Sequence, residues 1–295
     1  MYRGFLALRV LVTGACGMLG AQVCLALDGR HHVIPTDVLP GCEMLDITST
    51  SDVFDTINRT RPELVIHCAA MTDVDGCTRD PDQAFRVNGI GTWNLACACA
   101  SIDCAIAYVS TDYVFDGAKG EPYTEFDSPN PLNPYGASKL AGEQAVTELC
   151  PKHYVVRTSW LFAPRGKNFP TSILKAAESR KELKVVADQV GSPTYAKDLA
   201  EFLASLAGSP LYGLYHFTNA GSCSWYEFAK YLIEAAGMTE LEVVPIRSED
   251  WPTPTRRPSY SVLRRYKLEL LGRDAARPWH EAAAEFVSEW TTQRQ

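Results

Sequence analysis

Tyr135 and Lys139 stand four positions apart in NPLNPYGASKLAGEQA, residues 130–145. On a helix, positions i and i+4 share a face. A phenol in water loses its proton near pH ~10, too high for efficient proton exchange at neutrality. An ammonium a few ångströms away favours the phenolate by about 4 kcal/mol at an effective dielectric of ~20, before desolvation is subtracted. The pair therefore reads as a proton donor and the cation that tunes it. Thr111 lies 24 positions earlier, at the end of CAIAYVST (104–111), and offers a hydroxyl for the same reacting oxygen. The plainer alternative is an ordinary surface pair, since any helix can carry a tyrosine and a lysine.

A second set of residues could hold an anion. TGACGMLG (13–20) places Gly14, Gly17 and Gly20 three apart, with Cys16, Met18 and Leu19 between them. Glycine there permits a tight turn and close approach of backbone to a pyrophosphate, and the helix N-terminus that follows supplies free N–H groups. Asp37 ends the next strand, 23 positions after Gly14. A carboxylate there accepts from the adenosine ribose and repels a 2′-phosphate, which leans toward NADH over NADPH. Asp46, beside Ile47 in LDITS, is a candidate acceptor for the adenine amino group, or only begins a turn. Cys68, Ala69 and Ala70 end a strand in small residues, where a backbone can pass close to a cofactor. Asn88 either supports the water network of the site or satisfies backbone groups.

These residues need a scaffold, and the first half of the chain alternates strand and helix. LRVLVTG (8–14), HHVIPTD (31–37), ELVIHCAA (63–70), CAIAYVST and HYVVRTSW (153–160) read as strands. Between them run amphipathic segments, including a long helix over PDQAFRVNGIGTWNLACACAS and one over 135–149. This is an α/β chain with a doubly wound parallel sheet. Residues 1–160, with roughly 182–219, are expected to form a nucleotide-binding Rossmann domain; 161–181 and 220–295 form a smaller C-terminal α/β part that binds substrate. The Pro- and Arg-rich loop WPTPTRRPSY (251–260) lies in that part.

Composition narrows the function. The net charge is −7, with no run of Lys and Arg, which argues against nucleic acid. No apolar run approaches the ~18 residues of a membrane span. The opening MYRGFLALRVLVTG runs straight into a strand and lacks a cleavage site. A cytoplasmic protein is expected. The ten cysteines form no CxxC pair, and Cys97 and Cys99 point to different faces of their helix, so neither a disulfide framework nor a metal site is expected. His67, within a strand, reads as core.

TGACGMLG, VSTDYVFDG (109–117), PYGASK (134–139), RTSW (157–160), DQVGSPT (188–194) and RRPSYSVL (256–263) follow in order across nearly the whole chain. Together they resemble the extended short-chain dehydrogenase/reductase superfamily and, more narrowly, the dTDP-4-dehydrorhamnose reductase family. The resemblance implies hydride transfer from NADH or NADPH to the C4 carbonyl of a dTDP-4-keto-6-deoxy-L-sugar, giving dTDP-L-rhamnose. It makes Thr111, Tyr135 and Lys139 the catalytic trio, with Lys139 also holding the nicotinamide ribose. Tyr113, Trp160 and Asn168 fall in motifs near the sugar site, and Arg256 or Arg257 would pair with the diphosphate; each has packing or solvation as its alternative. A homodimer and association with other enzymes of dTDP-rhamnose synthesis are the partners it suggests. Some relatives use a Glu two residues after the third glycine in a magnesium-bridged dimer. Gln22 stands there, which puts magnesium in doubt.

Four other readings share the scaffold. A sugar-nucleotide epimerase is one, though it lacks the support of RTSW and DQVGSPT. The 4,6-dehydratases carry Asp-Glu after the strand-end Thr, but Tyr113 follows Asp112 here. A reductase of another dTDP-4-keto-deoxysugar fits nearly as well. A non-catalytic subunit resembling the methionine adenosyltransferase β subunit would share DYVFDG and YxxxK, though RTSW and DQVGSPT match the reductases better.

Overall fold

Parallel strands buried on both faces read as short apolar runs, and the chain supplies them. The computed structural model describes residues 7–238 and 240–292; the start of the chain, on which the expectation of no signal peptide partly rests, lies outside them. Arg9–Thr13 (β1), His32–Asp37 (β2), Glu43–Met44 (β3), Leu64–His67 (β4), Ala105–Thr111 (β5) and His153–Thr158 (β6) join Gly213–His216 in one sheet. The spatial order is Gly213–His216, β6, β5, β4, β1, β2, β3, and every neighbouring pair is parallel. The expected doubly wound sheet is present.

Successive side chains of a strand face opposite sides of its sheet. Val10 and Val12 of β1 accordingly pack with Val23, Leu27 and Leu199, while Leu11 packs with Val53, Val65 and Leu95 on the other face. The helices that cover these faces include Met18–Leu27 (α1), Thr50–Thr60 (α2), Thr92–Ser101 (α5) and Pro134–Leu149 (α6), while the short Val74–Arg79 (α3) and Pro81–Ala84 (α4) pack on α6. The long helix read from the sequence is α4 and α5 joined by a π-helical stretch, Phe85–Gly91. Strand order reverses at β1 and β4, so a crevice opens beyond their carboxyl ends.

The smaller part has its own core, with Phe162, Leu174, Phe228, Trp279 and Phe286 among its buried members. The segment 182–219 divides differently from the expectation. Glu182–Val186 pairs with Glu242–Ile246 in a separate two-stranded sheet, whereas Gly213–His216 joins the main sheet beside β6. The apolar side of this parallel pair, Leu183 and Val185, packs on Phe169, Ile173 and Ala229 of the smaller part, and that burial decides its allegiance.

Helix α6 packs closely on β5 and on the turn that follows it. Asn133 caps it by accepting from Gly136 N–H at 2.9 Å, and Pro134 opens its first turn. A Cβ on Gly136 would fall 2.0 Å from the carbonyl oxygen of Tyr113, so only glycine allows this approach. Closeness buries two charged residues of the helix, Lys139 and Glu143. Arg157 of β6 answers Glu143 with two bonds, Nε to Oε1 at 2.8 Å and Nη2 to Oε2 at 2.6 Å. Ser110 adds a third bond to Glu143 at 2.5 Å, and the guanidinium lies 5.0 Å over the Phe115 ring.

Breaking a buried pair leaves one charge without compensation. Arg157→Leu should therefore lower stability by about 3–5 kcal/mol in urea unfolding. Arg30→Leu, which breaks the exposed pair with Glu201, should cost under about 1 kcal/mol. Equal losses in the two variants would contradict this account of α6.

Candidate active site

The candidate anion site lies where β1 turns into α1. Gly14 takes φ +67, and a Cβ there would lie 2.7 Å from the Ala69 amide nitrogen, so the loop backs directly onto the end of β4. The N-terminus of α1 has no side-chain cap. Its first N–H groups and the positive end of its dipole therefore point into the crevice. An uncapped helix start set among tightly packed backbone fits a dinucleotide pyrophosphate. Asp37 is 8% exposed and accepts from Cys16 N–H at 2.9 Å and Leu39 N–H at 3.0 Å. Each carboxylate oxygen retains a lone pair for a ribose hydroxyl.

Other residues read as cofactor contacts divide by role. Met18 lies against Gly166 and Asn168 of the loop from the smaller part. Leu19 is core, and Ile47 is buried with its carbonyl accepting from Asn94. Asp46 is exposed and spends Oδ1 on the backbone and hydroxyl of Thr48, so it closes a turn. Cys68, Ala69 and Ala70 remain partly exposed beside the glycine loop. Asn88 lies in the π-helical stretch. Its amide donates to Met71 O at 3.1 Å and Ser138 Oγ at 3.0 Å, and its oxygen accepts from Met71 N–H at 2.8 Å. It thus ties the loop after β4 to the first turn of α6. His67 is buried in core, bonded to Thr13 and Thr92, and burial pushes its pKa down to about 3.

The structure brings Thr111, Tyr135 and Lys139 together. Thr111 ends β5, and its side chain meets the Tyr135 phenol. Tyr113 packs edge-on to Tyr135, with ring centroids 5.7 Å apart. Lys139 is 4% exposed, with Nζ 4.2 Å from the centroid of the Tyr108 ring. The tuning differs from that expectation. Burial raises the Tyr135 pKa above the ordinary phenol value, opposed by the bond to Thr111 and assisted by Asp112. Burial pushes Lys139 itself down to about 7, against the pull of Glu143. Desolvation penalises both charged forms here and outweighs the attraction that i, i+4 spacing suggests.

The residues assigned to the sugar nucleotide are less uniform. Trp160 holds a left-handed backbone, φ +46, and stacks on Trp225 with ring centroids 3.4 Å apart. Asn168 caps the helix Phe169–Ala177 and donates to Ala163 O at 2.8 Å. Arg257 pairs with Asp75 at 3.3 Å, while the Arg256 side chain is exposed. Three residues went unseen in the sequence: Asn133, whose amide donates to Arg256 O at 2.9 Å, Asp112 and Ser261. Only their positions within quoted motifs hinted at them. Among the described residues no group of three or more His, Cys, Asp or Glu is gathered for a metal, and no helix is long and apolar enough to cross a membrane.

A doubly wound sheet that sets a glycine loop and a Tyr–Lys pair around one crevice defines the extended short-chain dehydrogenase/reductase class. Comparison with known proteins narrows this. The family model described as RmlD substrate binding domain matches residues 8–292. A dTDP-4-dehydrorhamnose reductase structure from Clostridium acetobutylicum superposes with TM-score 0.92 at 44% identity, covering 96% of this chain and 99% of that one. One from Bacillus anthracis, in complex with NADP, gives TM-score 0.92 at 42% identity over 96% and 100%. A dTDP-4-keto-6-deoxy-D-glucose reductase of Streptomyces niveus is 36% identical over 96% of this chain and 94% of its own. The chain belongs to the dTDP-4-dehydrorhamnose reductase family.

The buried lysine has a consequence for stability. Its pKa falls from 10.5 to about 7 on folding, so between those values the unfolded chain binds more protons and stability rises with pH. Lys139→Met should therefore raise the melting temperature of the unliganded protein most below pH 7, with the gain fading toward 10.5. A gain that is the same at every pH would contradict a buried ammonium.

Proposed function

We propose that the protein reduces the C4 carbonyl of dTDP-4-dehydro-6-deoxy-L-mannose to give dTDP-L-rhamnose. The observation that carries this reading is the contact of the Thr111 and Tyr135 hydroxyls beside a buried Lys139, in a chain of this family. A reduced nicotinamide, when bound, supplies the hydride. Tyr135 donates its proton to the carbonyl oxygen, and its raised pKa keeps the phenol protonated until that transfer. Thr111 hydrogen-bonds the same oxygen. Lys139 binds the nicotinamide ribose hydroxyls, and the diphosphate of such a ligand favours its ammonium form.

Asp37 supports NADH as the preferred cofactor, because its buried carboxylate repels a 2′-phosphate. Gln22 offers no charge to a bridging cation, so magnesium has no part in this reading. Arg256, which is exposed, or Arg257, now paired with Asp75, offers positive charge to the sugar-nucleotide diphosphate. The smaller part supplies sugar contacts through Asn168, together with Trp160 just before its first residue. A reductase of a related 4-keto sugar is the second reading, supported by the Streptomyces niveus relative.

The test is to supply dTDP-4-keto-L-rhamnose with NADH, then with NADPH, and follow loss of nicotinamide absorbance. Turnover is expected, faster with NADH. Tyr135→Phe should reduce kcat by about 10²–10⁴-fold while cofactor binding, read by fluorescence, survives. Near-normal turnover by that variant would remove Tyr135 as the acid.

A further inference from the structure

The Thr111 hydroxyl is fully engaged by its protein neighbours. It accepts from Tyr113 N–H at 3.2 Å and meets the Tyr135 phenol, and its proton goes to Asp112 Oδ1 at 3.0 Å. A hydroxyl has one proton to give. To hold a substrate carbonyl oxygen, Thr111 must turn that proton away from Asp112. An ionised carboxylate in a buried site resists this, since charge-assisted bonds are the strong ones. A neutral carboxyl does the opposite: it donates to Thr111 Oγ1 and frees the Thr111 proton.

Asp112 is built to be such an acid. It is 2% exposed. Among the described residues it has no cationic partner: Tyr135 of α6 and its neighbour Tyr113 face it, and Arg257 with Asp75 lie beyond Tyr113. Its second oxygen is taken by Ser261, whose hydroxyl donates to Oδ2 at 2.5 Å. That bond leaves Oδ1, the oxygen beside Thr111, to carry the acid proton. Ser261 is itself fixed, because its N–H donates to Val190 O at 2.8 Å. Burial pushes the carboxyl up to about 7 against these hydrogen bonds.

We propose that Asp112, held by Ser261, is a positioning residue that acts as a neutral acid and turns the Thr111 hydroxyl onto the substrate carbonyl. This rests on the reductase reading above. Ser261 follows Arg256 and Arg257 by a few residues, so the segment that offers charge to the diphosphate also sets the orientation of a catalytic hydroxyl.

The experiment compares the pH dependence of kcat in the wild type, Asp112→Asn, Asp112→Ala and Ser261→Ala, with dTDP-4-keto-L-rhamnose as substrate. Asp112 works protonated and burial pushes it up to about 7, whereas the bound diphosphate keeps Lys139 charged, so wild-type kcat should fall by a one-proton step as pH rises. An asparagine amide donates to Thr111 as the neutral acid does. Asp112→Asn should keep kcat within about threefold and remove that step, whereas Asp112→Ala should lose about tenfold or more at unchanged cofactor affinity. Ser261→Ala removes a bond that favours the carboxylate and should move the step to higher pH. An asparagine variant as slow as the alanine variant, or a profile unchanged in both Asp112→Asn and Ser261→Ala, would overturn the proposal. A readout without substrate separates it from the functional reading. The infrared carbonyl band of a neutral carboxyl should be present in the unliganded protein just below neutral pH and missing in Asp112→Asn; its absence from the wild type would also overturn the proposal.

Discussion

The buried pair of Glu143 and Arg157 is what lets α6 lie against β5 and β6 with a polar face inward. Positions 135, 139 and 143 follow one another at helical spacing. The first carries the phenol, the second the ammonium and the third a carboxylate that would be intolerable in the core alone. Arg157 neutralises it from the adjacent strand, with Ser110 satisfying a further lone pair. Buried pairs of this kind often contribute little net stability compared with apolar residues of equal volume. Their value here is geometric: the pair fixes the depth of α6 and with it the place of Tyr135 relative to Thr111.

Depth has an electrostatic consequence. The same dry surroundings raise the phenol of Tyr135, lower the ammonium of Lys139 and raise the carboxyl of Asp112. Burial therefore moves all three groups toward their neutral forms. The crevice beside them is arranged for the opposite sign, with the uncapped start of α1 open to an anion. A bound diphosphate would bring negative charge to a helix dipole and to a lysine held at the edge of ionisation. The acidic net charge of the chain is no obstacle, because the attraction is local.

Much of this was legible in the sequence. The alternation of β-branched runs and amphipathic segments specifies the parallel sheet, and the glycine spacing locates the turn after β1, because both are local patterns. Asp46, which could also be read as the start of a turn, closes one with Thr48. What stayed hidden depends on distant parts of the chain meeting. Asp112 and Ser261 are 149 positions apart, and Asn133 reaches Arg256 across 123. The allegiance of 182–186 to 242–246 is likewise a matter of which core covers it. The direction of the Tyr135 and Lys139 shifts could not be taken from their spacing, because spacing reports attraction and only the fold reports desolvation. The π-helical stretch at Asn88 has no periodicity of its own to betray it.

The central claim is that the oxygen held by Thr111 and Tyr135 belongs to the C4 carbonyl of a dTDP-linked keto-sugar. Deuteride tracing tests it most directly. Dinucleotide deuterated at the transferring position is incubated with dTDP-4-keto-L-rhamnose, and the product is read by NMR. The account predicts one deuterium, at C4, in a product of L-rhamno configuration. Deuterium at any other carbon, a product epimeric at C4, or no transfer at all by cofactor-binding protein would contradict it.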